Sequence, residues 1–150
     1  TIAEYVSQIV KSYQETSKKD FIVNYDQNSN PLNITKSIEI IYGLRNFIGN
    51  ANKFSTNKIF ISIKSDSNLT EIMIEDDGEG YPKDVLNKIG EPYIKSVKSS
   101  IKSKSGLGLG IFIGKTLLEK NYANILCKNS QTRDGAEVSI KWENEDVLKL

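Results

Sequence analysis

Gly106-Leu107-Gly108-Leu109-Gly110 runs without a break into Ile111-Phe112-Ile113-Gly114-Lys115-Thr116-Leu117-Leu118, and the reading of this stretch decides the rest of the chain. Glycine at alternate positions keeps the backbone clear of side chains and conformationally free. A helix opening directly after it, at Ile111, offers unsatisfied N–H groups and the positive end of its dipole. Together these suit a phosphate chain. Two common phosphate-binding designs fail on spacing. A P-loop ending in Gly114-Lys115-Thr116 would need a glycine where Leu109 stands, and Lys115 and Thr116 fall on a helix flank. A dinucleotide fingerprint would need its third glycine one residue later and a strand before it. A plain flexible linker would explain the glycines but not the leucines between them.

The segment leading into the glycines, residues 90–105, has few apolar anchors and many Ser and Lys residues, so it reads as a long functional loop. Lys98, Lys102 and Lys104 cluster there, which favours local anion contacts over a broad basic face. The chain has 150 residues, 38% hydrophobic and 26% charged, as expected of one globular domain. A net charge of +1 gives no sign of a nucleic-acid or membrane-surface partner. Zero histidine rules out histidine acid/base catalysis and histidine metal ligation within the chain. The single cysteine, Cys127, excludes an internal disulfide, suits a reducing compartment and reads as a small buried strand residue. No apolar run is long enough to span a membrane, and none reads as a signal peptide.

Working outward, Thr1 to Glu15 is expected to be a helix, with Ile2, Val6, Ile9, Val10 and Tyr13 at helical spacing and Thr1 as its cap. Phe21 to Tyr25 reads as a short strand, and Gln27 to Pro31 as turn chemistry. Helical periodicity resumes near Ser37, where Ile38, Ile41, Leu44, Phe47/Ile48 and Ala51 predict one apolar stripe. Ile59, Ile61 and Ile63, then Ile72 and Ile74 beyond the Asp66–Asn68 turn, alternate as a hairpin with one buried face. A short helix is expected from Lys83 to Lys88, with Pro82 near its first turn. Ala123 to Cys127 and Ala136 to Trp142 close the chain as strands around an Arg133-Asp134-Gly135 turn. The predicted fold class is α+β, a two-layer sandwich of a mixed, mostly antiparallel sheet against about three helices.

Two constellations lie far from the glycines. Asn46, Asn50 and Lys53 recur at i, i+4 and i+7, a polar strip on one helix face. It is either a solvated face or a site where an amide oxygen meets Mg²⁺ and Lys53 meets a phosphate. The hairpin ends in Asp76-Asp77-Gly78-Glu79-Gly80. Asp76 shares parity with Ile72 and Ile74, so it should point inward, where a carboxylate needs donors. An adenine amine would supply one, and Gly80 would let the backbone lie beside a flat base. A plain acidic turn is the competing reading, whereas the spacing of a calcium loop is absent.

The order of asparagine strip, Asp-Gly-x-Gly, long loop, Gly-x-Gly-x-Gly and helix resembles the Bergerat-type ATP-binding fold, from about Ser37 to Trp142. That superfamily joins type II topoisomerases, Hsp90-type chaperones, mismatch-repair ATPases and sensor histidine kinases. Asn46 to Phe54 resembles the kinase N box, Asp76 to Gly80 the first glycine box, Gly106 to Gly110 the second, and Gly135-Ala136 the closing strand motif. The resemblance implies that Asn50 ligates Mg²⁺, that Asp76 holds the adenine amine and that residues 90–105 form the ATP lid, with Lys95 and Lys104 candidates for the γ-phosphate. Hydrolysing members carry a glutamate four residues before the Mg²⁺ asparagine. Here that position is Asn46, whose amide cannot accept a proton at neutral pH, which favours transfer to a protein acceptor.

The resemblance therefore implies a histidine kinase catalytic domain. The implied ATP-binding set is Asn46, Asn50, Lys53, Asp76, Gly78, Gly80, Tyr93, Gly106, Leu107, Gly108, Leu109 and Gly110, with Asn46 and Asn50 catalytic and Asn50 holding the metal. Tyr93 stands where many relatives have the phenylalanine of the F box. Gly90-Glu91-Pro92-Tyr93 and the glycine-run helix look most like the RegB/PrrB/ActS redox-responsive group. Residues 1–16 are then the end of a linker or dimerisation helix, and residues 17–150 the catalytic domain. The implied partners are the dimerisation domain that carries the phosphoacceptor histidine, in a homodimer, and a downstream response regulator. The implied setting is the cytoplasmic side of an inner-membrane sensor. A serine kinase or anti-sigma factor of the same fold, and a non-catalytic ATP sensor, are the alternatives.

Overall fold

The computed structural model describes residues 1–26, 37–86 and 107–147. Helix α1, Ile2–Gln14, opens with a reciprocal capping box: the Thr1 hydroxyl accepts the Glu4 N–H, and the Glu4 carboxylate accepts from the Thr1 nitrogen. Its Ile2, Val6, Ile9 and Val10 are buried, as the spacing predicts. Strand β1 covers Asp20–Tyr25. Helix α2, Ile38–Phe54, is capped by the Ser37 side chain, which accepts the Ile40 N–H.

Strands β2, Lys58–Ser65, and β3, Leu69–Asp76, form the expected hairpin. Their inner face carries Ile59, Ile61, Ile63, Ile72 and Ile74, all buried. A single-turn helix α3, Lys83–Leu86, follows Pro82. Then come helix α4, Leu107–Lys120, and strands β4, Asn124–Asn129, and β5, Ala136–Glu143. A last turn of helix, α5, Asn144–Val147, was not expected from the sequence. It is anchored by Asn144, which accepts from the Thr70 hydroxyl and donates to the Asp66 carbonyl.

The sheet order is β1-β2-β3-β5-β4, so the last strand in sequence lies inside the sheet. Only the β1–β2 pair is parallel; the other three pairs are antiparallel. The long helices α1, α2 and α4 supply one side of a single core that includes Phe47, Ile111, Leu118 and Trp142. Trp142 is fully buried, and its indole N–H donates to the Asn121 carbonyl, so no polar atom is stranded there. On the outer sheet face, Lys128 pairs with Glu137 and Lys141 with Glu71, the pattern of a solvated surface.

Two expectations are corrected. Helix α4 begins at Leu107 rather than Ile111, so Gly108 and Gly110 belong to its first turn. The apolar stripe of α2 is set by Ile40, not Ile38, which is 68% exposed. The first correction traces to the seam between α2 and α4. A methyl added at Gly43 would come within 2.6 Å of Leu118 Cγ, and one at Gly114 within 2.8 Å of Phe47 Cε2. The two helices pack so closely that tertiary contact overrides the low helix propensity of the glycines.

Candidate functional site

The Asn46-Asn50-Lys53 strip lines an open cleft together with Tyr13, Tyr42, Arg45 and Gly49. Tyr42 stands one turn before Asn46, and Arg45 one turn before Gly49, so helical spacing alone could have added them to the cleft. Tyr13 comes from α1 and could not be placed that way. The Arg45 guanidinium lies over the Tyr13 ring at 5.1 Å and donates to the Ser12 hydroxyl at 3.2 Å. Asn46 turns its amide group back along its own helix and donates to the Tyr42 carbonyl at 2.8 Å.

Asn50 differs from Asn46. Its Nδ2 is buried and finds no hydrogen-bond partner among the described residues. Such an orphaned amide is costly unless something else completes it. It faces Gly110, where an added methyl would stand 3.1 Å from Asn50 Oδ1. The first turn of α4 therefore meets the asparagine with bare backbone, and the first four N–H groups of a helix have no partner within it. Just beyond Asn50, in the last turn of α2, the Lys19 ammonium donates to the Asn52 carbonyl and, at 3.4 Å, to the Lys53 carbonyl, capping the helix dipole.

Asp76 is 4% exposed and points inward, as its parity predicts. Its Oδ1 accepts the Gly78 N–H at 2.9 Å and the Ala136 N–H at 3.3 Å. Burial pushes its carboxyl above the usual range, although these two amides pull the other way. Gly135 makes the approach of β5 possible, since a methyl there would fall 2.1 Å from Asp76 Oδ1. Gly78 plays the same part towards α2, where a methyl would meet the Phe54 carbonyl oxygen at 2.2 Å. The acidic box is thus pinned to the C-terminus of the helix that carries the asparagines. About 12 Å of helix separates Asn46 from Phe54.

The neighbouring Asp77 has a different task. Its carboxylate accepts the backbone N–H groups of Thr56 at 2.9 Å, Asn57 at 3.0 Å and Lys58 at 3.1 Å, closing the turn between α2 and β2. Burial opposes the charge of Asp77, but the amides outweigh it and hold the carboxyl below its ordinary value. Gly80 has φ +77, the left-handed region that favours glycine. Tyr93, Gly106 and the 90–105 segment lie outside the described residues, as does the turn at 27–31. Leu107, Gly108 and Leu109 lie in the first turn of α4, and Leu109 is exposed. Lys115 pairs with Glu119 at 2.6 Å on a helix flank, as expected for a residue outside the pocket.

Cys127 lies on β4, partly buried against the core. Burial pushes its thiol up to about 11, and it shares a hydrogen bond with the Tyr81 hydroxyl. Tyr81 is itself buried beside Asp76 and held far above its ordinary ionisation range by burial.

Two layers, an inward carboxylate held at the C-terminal end of α2 and, one turn back, a buried amide nitrogen facing the bare start of α4 are the layout of a Bergerat-type sandwich. Residues 35–146 match the family described as histidine kinase-, DNA gyrase B-, and HSP90-like ATPase, and the chain belongs to it. The sensor histidine kinase RegB of Cereibacter sphaeroides is 35% identical over 125 residues, covering 73% of this chain and 27% of the relative. Sporulation kinase A of Bacillus subtilis is 29% identical over 82 residues, covering 55% of this chain and 12% of the relative. The chain thus spans about a quarter of the RegB length. Among solved structures, the catalytic domain of the histidine kinase ThkA superposes with a TM-score of 0.76 at 19% identity, covering 95% of this chain and 94% of that one. The mycobacterial sensor histidine kinase MprB gives 0.73 at 19% identity, covering 95% and 93%. Among the described residues, no helix is long and apolar enough to cross a membrane.

Proposed function

We propose that this chain binds Mg·ATP and passes the γ-phosphate to a histidine carried by another domain of a two-component sensor kinase. The observation that carries the reading is the buried, unpartnered Nδ2 of Asn50, a donor with room for a phosphate oxygen, facing the bare first turn of α4. No group of three or more His, Cys, Asp or Glu able to hold a metal exists among the described residues. A metal here would therefore take one amide oxygen and complete its shell with phosphate oxygens and water, which suits Mg²⁺ and Asn50. When bound, Mg²⁺ neutralises phosphate charge.

The chain's own residues do the positioning. Asp76 accepts the adenine amine, the Gly78–Gly80 backbone borders the base, and Asn46 and Lys53 border the phosphates. Tyr93, with Gly106 to Gly110, completes the phosphate side and lid. Asn46 cannot activate water, so transfer to an acceptor is favoured over hydrolysis. In the transfer, the bond from the γ-phosphorus to the β–γ bridging oxygen breaks, ADP leaves and a phosphorus–nitrogen bond forms. Residues 1–16 form the arriving end of a linker from the dimerisation domain, and a response regulator takes the phosphate onward. This domain works on the cytoplasmic side of a membrane sensor.

The test mixes the chain and Mg·ATP with the separately made histidine-bearing helical hairpin of its parent protein. Acid-labile phosphate on the hairpin is the expected result. Acid-stable phosphate on a serine substrate, or tight ATP binding without transfer, would overturn the transfer step. Asp76→Asn is expected to abolish preference for ATP over GTP, and an unchanged preference would overturn the pocket.

A further inference from the structure

Asn129, the last residue of β4, makes an unusual pair of bonds. Its Oδ1 accepts the Tyr81 N–H at 2.6 Å, and its Nδ2 donates to the Tyr81 carbonyl at 2.9 Å. One side chain thereby satisfies both backbone groups of the same residue, as a neighbouring strand would in a ladder. The segment it grips is the exit of the acidic box. The same amide crowds the preceding residue: a methyl on Gly80 would meet Asn129 Oδ1 at 2.7 Å. The contact spans 48 residues of sequence, so no local propensity produces it.

The place of Asn129 in the sheet gives the clamp its meaning. Asn129 is in register with Ala136 on β5, and the Ala136 N–H is one of the two donors to Asp76. The turn beyond it is closed by the Ser130 N–H donating to the Gly135 carbonyl at 2.7 Å. Gly135 is the residue whose missing side chain admits Asp76. The end of β4 and the start of β5 are therefore joined across one hydrogen-bonded turn. Together they touch the carboxylate through Ala136 and the glycine strap through Asn129.

We propose that Asn129 is a positioning residue for nucleotide recognition, fixing the Gly80 backbone relative to the Asp76 carboxylate so that amine selection and room for a flat base coincide. This rests on the adenine reading of Asp76. Asn129 touches neither base nor phosphate and acts through Gly80 and Tyr81. A carboxylate at position 129 would keep the acceptor for the Tyr81 N–H but would lose the donor to the Tyr81 carbonyl, leaving half of the clamp.

The test measures Mg·ATP and Mg·GTP affinity by calorimetry on this chain, with thermal melting alongside. Asn129→Ala is expected to weaken ATP about tenfold, the scale of two lost hydrogen bonds, and to narrow the ATP-over-GTP ratio. Asn129→Asp is expected to fall between it and the unchanged chain. A merely structural role would lower the melting temperature and leave the ratio of the two affinities where it was, and that result overturns the proposal. So does an unchanged ATP affinity in a folded Asn129→Ala. If the unchanged chain itself shows no preference for ATP, the adenine reading fails first. If it prefers ATP and only the Asn129 variants are silent, the clamp alone is wrong.

Discussion

Asn50 and Gly110 face each other across the seam between α2 and α4, with room for an amide and nothing more: a methyl on Gly110 would stand 3.1 Å from Asn50 Oδ1 and 3.2 Å from its Nδ2. The orientation of the asparagine is therefore set by the absence of a side chain on the opposing helix. Gly110→Ala should displace the Asn50 amide by a few tenths of an ångström. The helix itself gains about 1 kcal/mol from alanine, so the fold should hold. On the proposed role of Asn50, Mg·ATP affinity should fall roughly tenfold or more, the usual cost of disturbing what orients a metal ligand. Calorimetry with and without Mg²⁺ checks this, and equal ATP affinity in both proteins would refute it.

Gly114 sits one turn further along α4 and predicts the opposite pattern. Its missing methyl would meet Phe47 Cε2 at 2.8 Å and Asn46 Cβ at 3.2 Å, and Phe47 is fully buried. Gly114→Ala overpacks the seam at about 1–3 kcal/mol, more than the propensity gain returns. Each lost kcal/mol lowers the melting midpoint by about 2–4 °C in a domain of this size. A melt at neutral pH checks the sign; a raised midpoint would show that the seam yields.

Asp76 should cost stability in the nucleotide-free protein. Its folded-state carboxyl titrates above the ordinary 3.8, chiefly because it is buried. The protonated form is therefore the better folded one. The contribution is fully favourable below the unfolded value and is lost as pH rises through the folded one. Asp76→Asn keeps acceptors for Gly78 and Ala136 without the charge. It should melt higher than the unchanged chain at pH 7, the gap closing as pH falls towards 4. A lower midpoint for the variant at pH 7 would contradict the burial argument.

Cys127 and Tyr81 should make the fold sensitive to alkali. The Cys127 thiol rises from an ordinary 9.0 to about 11, first because of burial. Stability is then intact below pH 9 and falls as the unfolded thiol ionises, over the window from about 9 to about 11. Tyr81 adds a loss in the same direction above pH 10. At pH 8 the folded thiol should react with iodoacetamide far more slowly than the unfolded one. Cys127→Ser should shift the alkaline melting curve, and identical curves above pH 9 would count against this account.

The hairpin and the inward turn of Asp76 were legible because both rest on a period of two, which a buried face enforces along the whole strand. The polar strip of α2 was legible for the same kind of reason, at a period near four. The start of α4 was not. Glycine has poor helix propensity, and the close packing of Gly110 on Asn50 and of Gly114 on Phe47, both distant in sequence, accompanies the helical start. Ile38 misled because two adjacent registers of α2 both look apolar, and only packing against the sheet chooses Ile40. Asn129 gave no local sign at all, since its partner lies 48 residues away.

The strand order has a consequence for biosynthesis. β5 is the last long strand to leave the ribosome, yet it inserts between β3 and β4 and brings Gly135 and Ala136 to Asp76. Until then β3 and β4 have no shared neighbour, and the carboxylate lacks one of its two donors. The emerging chain should thus gain its nucleotide pocket in a single late step, so that a ribosome-stalled product ending before β5 carries every residue of the Asn46–Gly110 set and still binds nothing.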